Sequence, residues 1–173
     1  MAPPAVGDAF PAAGIVLHGA SPGDAVDLAA RIAGKTVVLV SVPGAFTPTC
    51  TKTHIPGIVA GAADLKAAGA EEVLVVCPND AFVTAAFGDS LGAAAKGVTL
   101  LADPWLRLAG ALDQVTDSTV EPLGGPRAKR FSVVIDKAGK VAAANWEPDG
   151  TGLTCSRAGP DLVAAVKAAA GTA

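Results

Sequence analysis

The sequence predicts an α/β protein with a central mixed sheet flanked by helices on both faces, and three observations predict it. Short β-branched, apolar runs alternate along the chain with segments whose apolar residues recur at helical spacing. Two of those runs, Thr36–Val42 and Val73–Cys77, are apolar enough to read as buried strands. A late pair of runs lies close enough in sequence to form a hairpin, and a last helical segment follows it.

Taken in order, residues 1–34 are punctuated by glycine and proline and hold one short amphipathic piece near Ala25–Ala33, with Val26, Leu28, Ala29 and Ile32 apolar. Thr36–Val42 is the first buried strand, and Pro43, Gly44 and Pro48 end it in a turn. Thr51–Ala68 carries Ile55, Ile58, Val59, Ala62 and Leu65 at helical spacing, with Pro56 expected to kink it near its start. Gly69 stops that helix, and Val73–Cys77 is the next strand. A helical region spans Ala81–Ala95, interrupted around Gly88. Val98–Leu101 is a short strand and Trp105–Leu112 a short helix. Arg130–Ile135 and Val141–Trp146 form the hairpin across the Asp136–Gly139 turn. The Gly-rich loop Asp149–Gly152 precedes a last helix over Pro160–Ala170, with proline in its first turn. No repeat and no linker divides the chain, so residues 1–173 read as a single domain.

Apolar residues make up 51% of the chain and aromatics only 4%, which suits alanine-rich helices packed on a sheet of Val, Leu and Ile. The formal net charge is −3 with both signs interspersed, which argues against a nucleic-acid or anionic-membrane surface. No apolar stretch is long enough to span a bilayer. The N-terminal segment lacks the marks of a signal or transit peptide, and the C-terminal Ala-Gly-Thr-Ala is no peroxisomal address. The chain is therefore expected to be soluble and cytoplasmic, with removal of an organellar leader left open. Its three cysteines are far apart and include no Cys-x-x-Cys pair. They fit a reducing compartment in which any disulfide is transient and catalytic.

Cys50 is the residue whose position points to chemistry. It follows the turn after the first buried strand and opens the first long helix, with Pro43 and Thr47 upstream in Pro43-x-x-x-Thr47-x-x-Cys50. The first turn of a helix offers free N–H groups and the positive end of the helix dipole. Thiols so placed are favoured as thiolates, which are their reactive form. A buried structural thiol is the plain alternative, because free cysteine often serves as a small core hydrophobe. His54 lies four residues on, sharing a helix face with Cys50, but two ligands do not make a metal site. It reads instead as a residue behind the site or on the helix surface.

The string Pro43-Gly-Ala-Phe-Thr47-Pro-Thr-Cys50-Thr-Lys-Thr-His54 resembles the active-site motif of the peroxiredoxins, thiol peroxidases that need no metal or haem. It is most similar to their type II group, the peroxiredoxin 5 class. Asn79-Asp-Ala-Phe-Val83, Leu101-Ala-Asp-Pro104, Lys129-Arg-Phe-Ser132 and Glu147-Pro-Asp-Gly-Thr-Gly-Leu-Thr-Cys-Ser156 match that class in the same order. The resemblance implies a thioredoxin-like fold and a cysteine-based reduction of hydrogen peroxide and organic hydroperoxides. Cys50 would attack the peroxide and become a sulfenic acid. The Thr47 hydroxyl would accept from the peroxide and donate to the thiolate, since a hydroxyl can do both. Pro43, which has no N–H, would shield the sulfur from water. Arg130 would stabilise the thiolate and the charge on the leaving oxygen; Arg127 is its rival in the same loop, and the match of Lys129-Arg-Phe-Ser132 to the class favours Arg130.

Cys155 sits where atypical two-cysteine members of the class carry the resolving cysteine, which implies an intramolecular disulfide reduced by thioredoxin. Cys77 departs from the pattern: many relatives have cysteine two residues earlier, where this chain has Val75. A buried bystander is the favoured reading of Cys77, and a second resolving candidate the other. Phe46, Phe82, Phe87 and Leu123 are expected to line the pocket rim. A homodimer is also implied by the resemblance. Two rivals stand beside this reading: a redox-sensing or chaperone-like binding protein, and a one-cysteine peroxidase served by glutaredoxin. A thioredoxin- or glutaredoxin-like disulfide oxidoreductase is disfavoured by the missing Cys-x-x-Cys.

Overall fold

Strand β3, Val37–Ser41, is buried on both faces, and the alternation of its side chains divides the interior in two. Val38 and Val40 point into one core with Ile55, Ile58, Val73, Val75 and Leu162. Val37 and Leu39 point into the other with Leu17, Leu28, Leu74, Phe131 and Leu108. A run that is apolar at every position is what a central strand covered on both sides requires. The computed structural model describes residues 2–116 and 123–171, so the C-terminal Thr172 and Ala173, part of the targeting argument above, lie outside it.

Around β3 the chain folds as β1 (Val16–His18), β2 (Ala25–Asp27), α1 (Leu28–Ile32), β3, a π-helical turn (Cys50–His54), α2 (Ile55–Ala67), β4 (Glu72–Cys77), α3 (Ala81–Ser90), a 3-10 turn (Ala94–Lys96), β5 (Thr99–Ala102), α4 (Arg107–Ala111), β6 (Phe131–Ile135), β7 (Val141–Trp146) and α5 (Pro160–Gly171). The strands form one mixed sheet in the order β2-β1-β5-β4-β3-β6-β7. Strands β3, β4 and β5 are parallel, while β6 and β7 extend the sheet antiparallel on one side and β1 and β2 on the other. Helices α2, α3 and α5 cover the first core and α1 and α4 the second. This is the predicted α/β architecture with helices on both faces. Among the described residues no helix is long and apolar enough to cross a membrane.

Several boundaries differ from expectation for local reasons. The piece near Ala25–Ala33 begins as strand β2, and the helix starts only at Leu28, where the Asp27 side chain accepts from the Ala30 N–H. Its partner strand β1, in the Gly/Pro-punctuated segment, was not foreseen. Gly88 lies inside α3; the break comes after Ser90, and a Cβ at Gly88 would stand 3.4 Å from Leu100 of β5. The glycine there serves helix–strand approach. Pro56 does not kink an α-helix but occupies its first turn, because the preceding turn is π-helical. The parallel trio β3–β4–β5 sends its carboxyl ends to one edge, where the loops at Pro43–Thr49, Pro78–Asp80 and Asp103–Leu106 meet solvent. Open α/β sheets place their sites at that edge.

Candidate active site

The chain leaves β3 at Val42 and reaches Cys50 through a tight, buried loop. Pro43, Gly44 and Ala45 are buried, and the Ala45 N–H donates to Asn79 Oδ1 at 2.8 Å, which ties this loop to the one after β4. A Cβ on Gly44 would stand 3.0 Å from Thr47 Cγ2, so no larger residue fits without displacing Thr47. Phe46 takes φ of 60°, rare for a non-glycine residue, and turns its exposed ring edge-on to Phe87 with centroids 5.2 Å apart. Thr47 Oγ1 donates to the Gly44 carbonyl at 2.9 Å, and its own carbonyl accepts the Thr51 N–H.

The π-helical turn then carries Cys50 and His54 inward together, each only 1% exposed. Such turns are rare and recur at functional sites. Arg130, just ahead of β6 and also 1% exposed, fills the space between them. Its Nη2 lies 3.4 Å from Cys50 Sγ and its Nη1 2.8 Å from His54 Nδ1. Its Nε donates to the Gly152 carbonyl at 2.7 Å, and Nη2 also to that of Thr151 at 3.1 Å. Carbonyls, an imidazole nitrogen and the thiol sulfur thus take the donors of this buried cation. Arg127 is placed otherwise: its Nη1 approaches Gly44 and its Nη2 donates to the Leu123 carbonyl. Of the two rivals, it is Arg130 that meets the sulfur.

The network assigns the His54 tautomer. Guanidinium can only donate, so Nδ1 accepts; the Ser156 carbonyl can only accept, so Nε2 carries the proton that reaches it at 2.9 Å. Burial first, and the neighbouring Arg130 charge second, lower the His54 pKa to about 4, while the bond to Ser156 opposes them. His54 is therefore a neutral, buried link and not a helix-surface residue.

Cys155 lies elsewhere. It is exposed, and its Sγ donates to the Trp146 carbonyl at 3.5 Å. All three cysteines are free thiols. Desolvation first, then the Glu147 carboxylate, push the Cys155 thiol up. Cys77 is fully buried in the same core as Cys50, and burial pushes its thiol well above the ordinary range. Phe82 is exposed, Leu123 half-buried, and Phe87 fully buried. Phe87 therefore does not line a rim; it supports Phe46 from below.

Two residues of this neighbourhood escaped the sequence reading as individuals, Asn79 and Glu147. Glu147 is 3% exposed and accepts hydrogen bonds from Thr154, Cys155 and Ser156. Burial alone would raise its carboxyl, but the donors of Thr154 and Ser156 outweigh it and hold it well below the usual carboxylate range. An acidic residue ending an apolar strand is the signal that could have found it.

The Redoxin family model matches residues 5–162 of the chain. The chain belongs to the peroxiredoxin family. Peroxiredoxin-2C of Oryza sativa subsp. japonica is 40% identical over 151 residues, covering 87% of this chain and 91% of that protein. Chloroplastic peroxiredoxin-2E-2 of the same plant is 39% identical over 155 residues, covering 88% of this chain and 68% of the relative. Reduced Prx3 of Vibrio vulnificus superposes with a TM-score of 0.81 at 34% identity, covering 94% of this chain and 98% of that one. The same protein solved with hydrogen peroxide gives a TM-score of 0.81 at 35% identity, covering 94% and 99%. This peroxiredoxin has the thioredoxin-like fold of those neighbours and is a thiol peroxidase, an antioxidant oxidoreductase that takes peroxides and is recharged by thiols.

Proposed function

We propose that Cys50 is the peroxide-reacting thiol, that Cys155 resolves it, and that thioredoxin reduces the resulting disulfide. The observation that carries this reading is the placement of Arg130 Nη2 at 3.4 Å from Cys50 Sγ in a buried site at the carboxyl end of β3. The Cys50 thiolate attacks one peroxide oxygen, the O–O bond breaks, and the second oxygen leaves as water or alcohol after taking a proton. Arg130 holds a fixed positive charge against the sulfur and against the oxygen on which charge develops. Pro43 keeps a competing N–H away from the thiolate. The Thr47 hydroxyl, bonded to Gly44 at rest, swings its proton to the sulfur while a lone pair receives the peroxide.

Hydrogen peroxide and alkyl hydroperoxides are the proposed substrates, a choice supported by the peroxide held by the similar Vibrio protein. The working unit is a homodimer of single-domain chains in the cytoplasm. Exposed Phe46, Phe82 and Trp105, each following one of three adjacent parallel strands, support the dimer.

One equivalent of hydrogen peroxide added to fully reduced protein tests the cycle by intact mass and free-thiol count. Loss of two hydrogens, mapped by peptide analysis to Cys50 and Cys155, is expected. The same loss mapped to Cys50 and Cys77 moves the resolving role. A gain of one oxygen at Cys50 without a disulfide means a one-cysteine enzyme served by an external thiol such as glutathione with glutaredoxin. No reaction at Cys50 removes it from the peroxidatic role.

A further inference from the structure

The loop that carries Cys155 is held from several sides. Glu147 Oε1 accepts from the N–H groups of Thr154, Cys155 and Ser156 at 2.8, 2.9 and 2.8 Å and from Ser156 Oγ at 2.7 Å. Its Oε2 accepts from the Thr154 N–H at 2.9 Å and from Thr154 Oγ1 at 2.6 Å. Three successive backbone donors converging on one carboxylate form an anion nest, and each bond is charge-assisted. Further along, Gly61 of α2 lies against the loop so closely that a Cβ there would be 3.3 Å from that of Ala158. Other anchors reach into the peroxidatic site, namely the Thr151 and Gly152 carbonyls on Arg130 and the Ser156 carbonyl on His54.

In this arrangement Cys155 is exposed and bonded to the Trp146 carbonyl, whereas Cys50 is buried beneath Arg130. A disulfide tolerates only short Cα separations and a narrow dihedral range. Here one free thiol is exposed beside the nest and the other is buried, so joining them calls for movement of the loop that Glu147 holds.

We infer that Glu147 is a latch: its carboxylate holds the Cys155 loop in the reduced arrangement, and release from it sets the rate of disulfide closure and so the lifetime of the Cys50 sulfenic acid. The inference rests on the reading that Cys155 resolves Cys50. In the closing step the Cys155 sulfur, having lost its proton, attacks the Cys50 sulfenic sulfur. The S–S bond forms, the S–O bond breaks, and the departing hydroxide takes up the proton as water. Cys155 is oxidised at the expense of the sulfenic acid, and no further oxidant is needed. While latched, Cys155 also faces the negative charge of Glu147, which disfavours its thiolate; release removes that opposition. Glu147 is a positioning residue, since among the described residues its side chain bonds only to the loop.

The test separates the two chemical steps. Reduced wild type and Glu147→Gln are mixed with hydrogen peroxide in quenched flow, with dimedone trapping the sulfenic acid and intact mass reporting the disulfide. The variant is expected to form sulfenic acid at the wild-type rate and to close the disulfide about tenfold faster, as weakened bonds to a charged acceptor allow. It should also resist over-oxidation of Cys50 at high peroxide. Equal closure rates overturn the latch alone. Slower closure overturns it too, because Glu147 would then be preparing Cys155 for attack. Absence of a Cys50–Cys155 disulfide in both proteins overturns the resolving role and the latch with it. Should Glu147→Gln fold poorly, Thr154→Val removes one donor and is expected to speed closure by a smaller factor; no change overturns the latch. Hydrogen exchange on the wild type gives an independent reading. The Thr154, Cys155 and Ser156 amides should be protected when reduced and lose protection on oxidation, and unchanged protection counts against release.

Discussion

Arg130 is a buried cation that, among the described residues, is not paired to a carboxylate. Burying a charge is costly unless every donor is matched, and here carbonyls, imidazole and sulfur match them. Among these described partners the sulfur alone can become an anion, which focuses the positive charge on it. His54 makes that arrangement dependent on acidity, because protonating Nδ1 would set a second cation against the guanidinium. Its pKa falls from 6.5 to about 4 on folding, so the unfolded chain binds more protons between those values. The stability contributed by neutral His54 is complete above 6.5 and lost as pH falls toward 4. Urea denaturation should show wild type losing roughly 3 kcal/mol from this source across that window, with His54→Asn escaping that part of the loss. Equal losses in the two proteins would remove His54 as the cause. Glu147 acts lower on the scale, since its depressed carboxyl stays charged throughout the window.

At the scale of elements, the site is a strand end, a constrained loop and a π-helical turn acting together. The apolar strand and the proline stops were visible in the sequence, as was the helical spacing after Cys50. The π-turn was not, because no side-chain pattern distinguishes it from the α-helix it joins. Nor was the left-handed conformation of Phe46, whose ring meets Phe87 across the fold. Gly44 is where the loop leaves least room. Gly44→Ala places a Cβ 3.0 Å from Thr47 Cγ2 and should push the Thr47 hydroxyl out of position. Stopped-flow peroxide reduction is expected to slow about tenfold or more, as small misplacements near a reacting centre do, with little change in Tm. A wild-type rate would show that Thr47 tolerates the shift.

At the scale of the molecule, the sheet order brings the loops after β3, β4 and β5 side by side and so sets Phe46, Phe82 and Trp105 at one edge. Phe82 is 64% and Trp105 77% exposed, a large apolar outlay for a chain with few aromatics. If this edge is the dimer face, sedimentation velocity will find wild type as a dimer and the Phe82→Glu/Trp105→Glu double variant as a monomer. A double variant that sediments like wild type moves the interface elsewhere. The sequence by itself determined the layered α/β architecture, because buried strands and amphipathic helices leave periodic marks. It also singled out Cys50, because a thiol at a helix start and the motif around it are local in the chain. The match of Lys129-Arg-Phe-Ser132 already favoured Arg130 over Arg127; tertiary structure alone showed its contact with the sulfur, the interior place of His54 and the hold of Glu147 on the Cys155 loop. Arg130 is brought to His54 and Cys50 by packing across elements 76 and 80 residues apart in the chain. Such distant pairs leave no periodic trace in the sequence, since the sheet's register, and not the local pattern, sets which side chains meet.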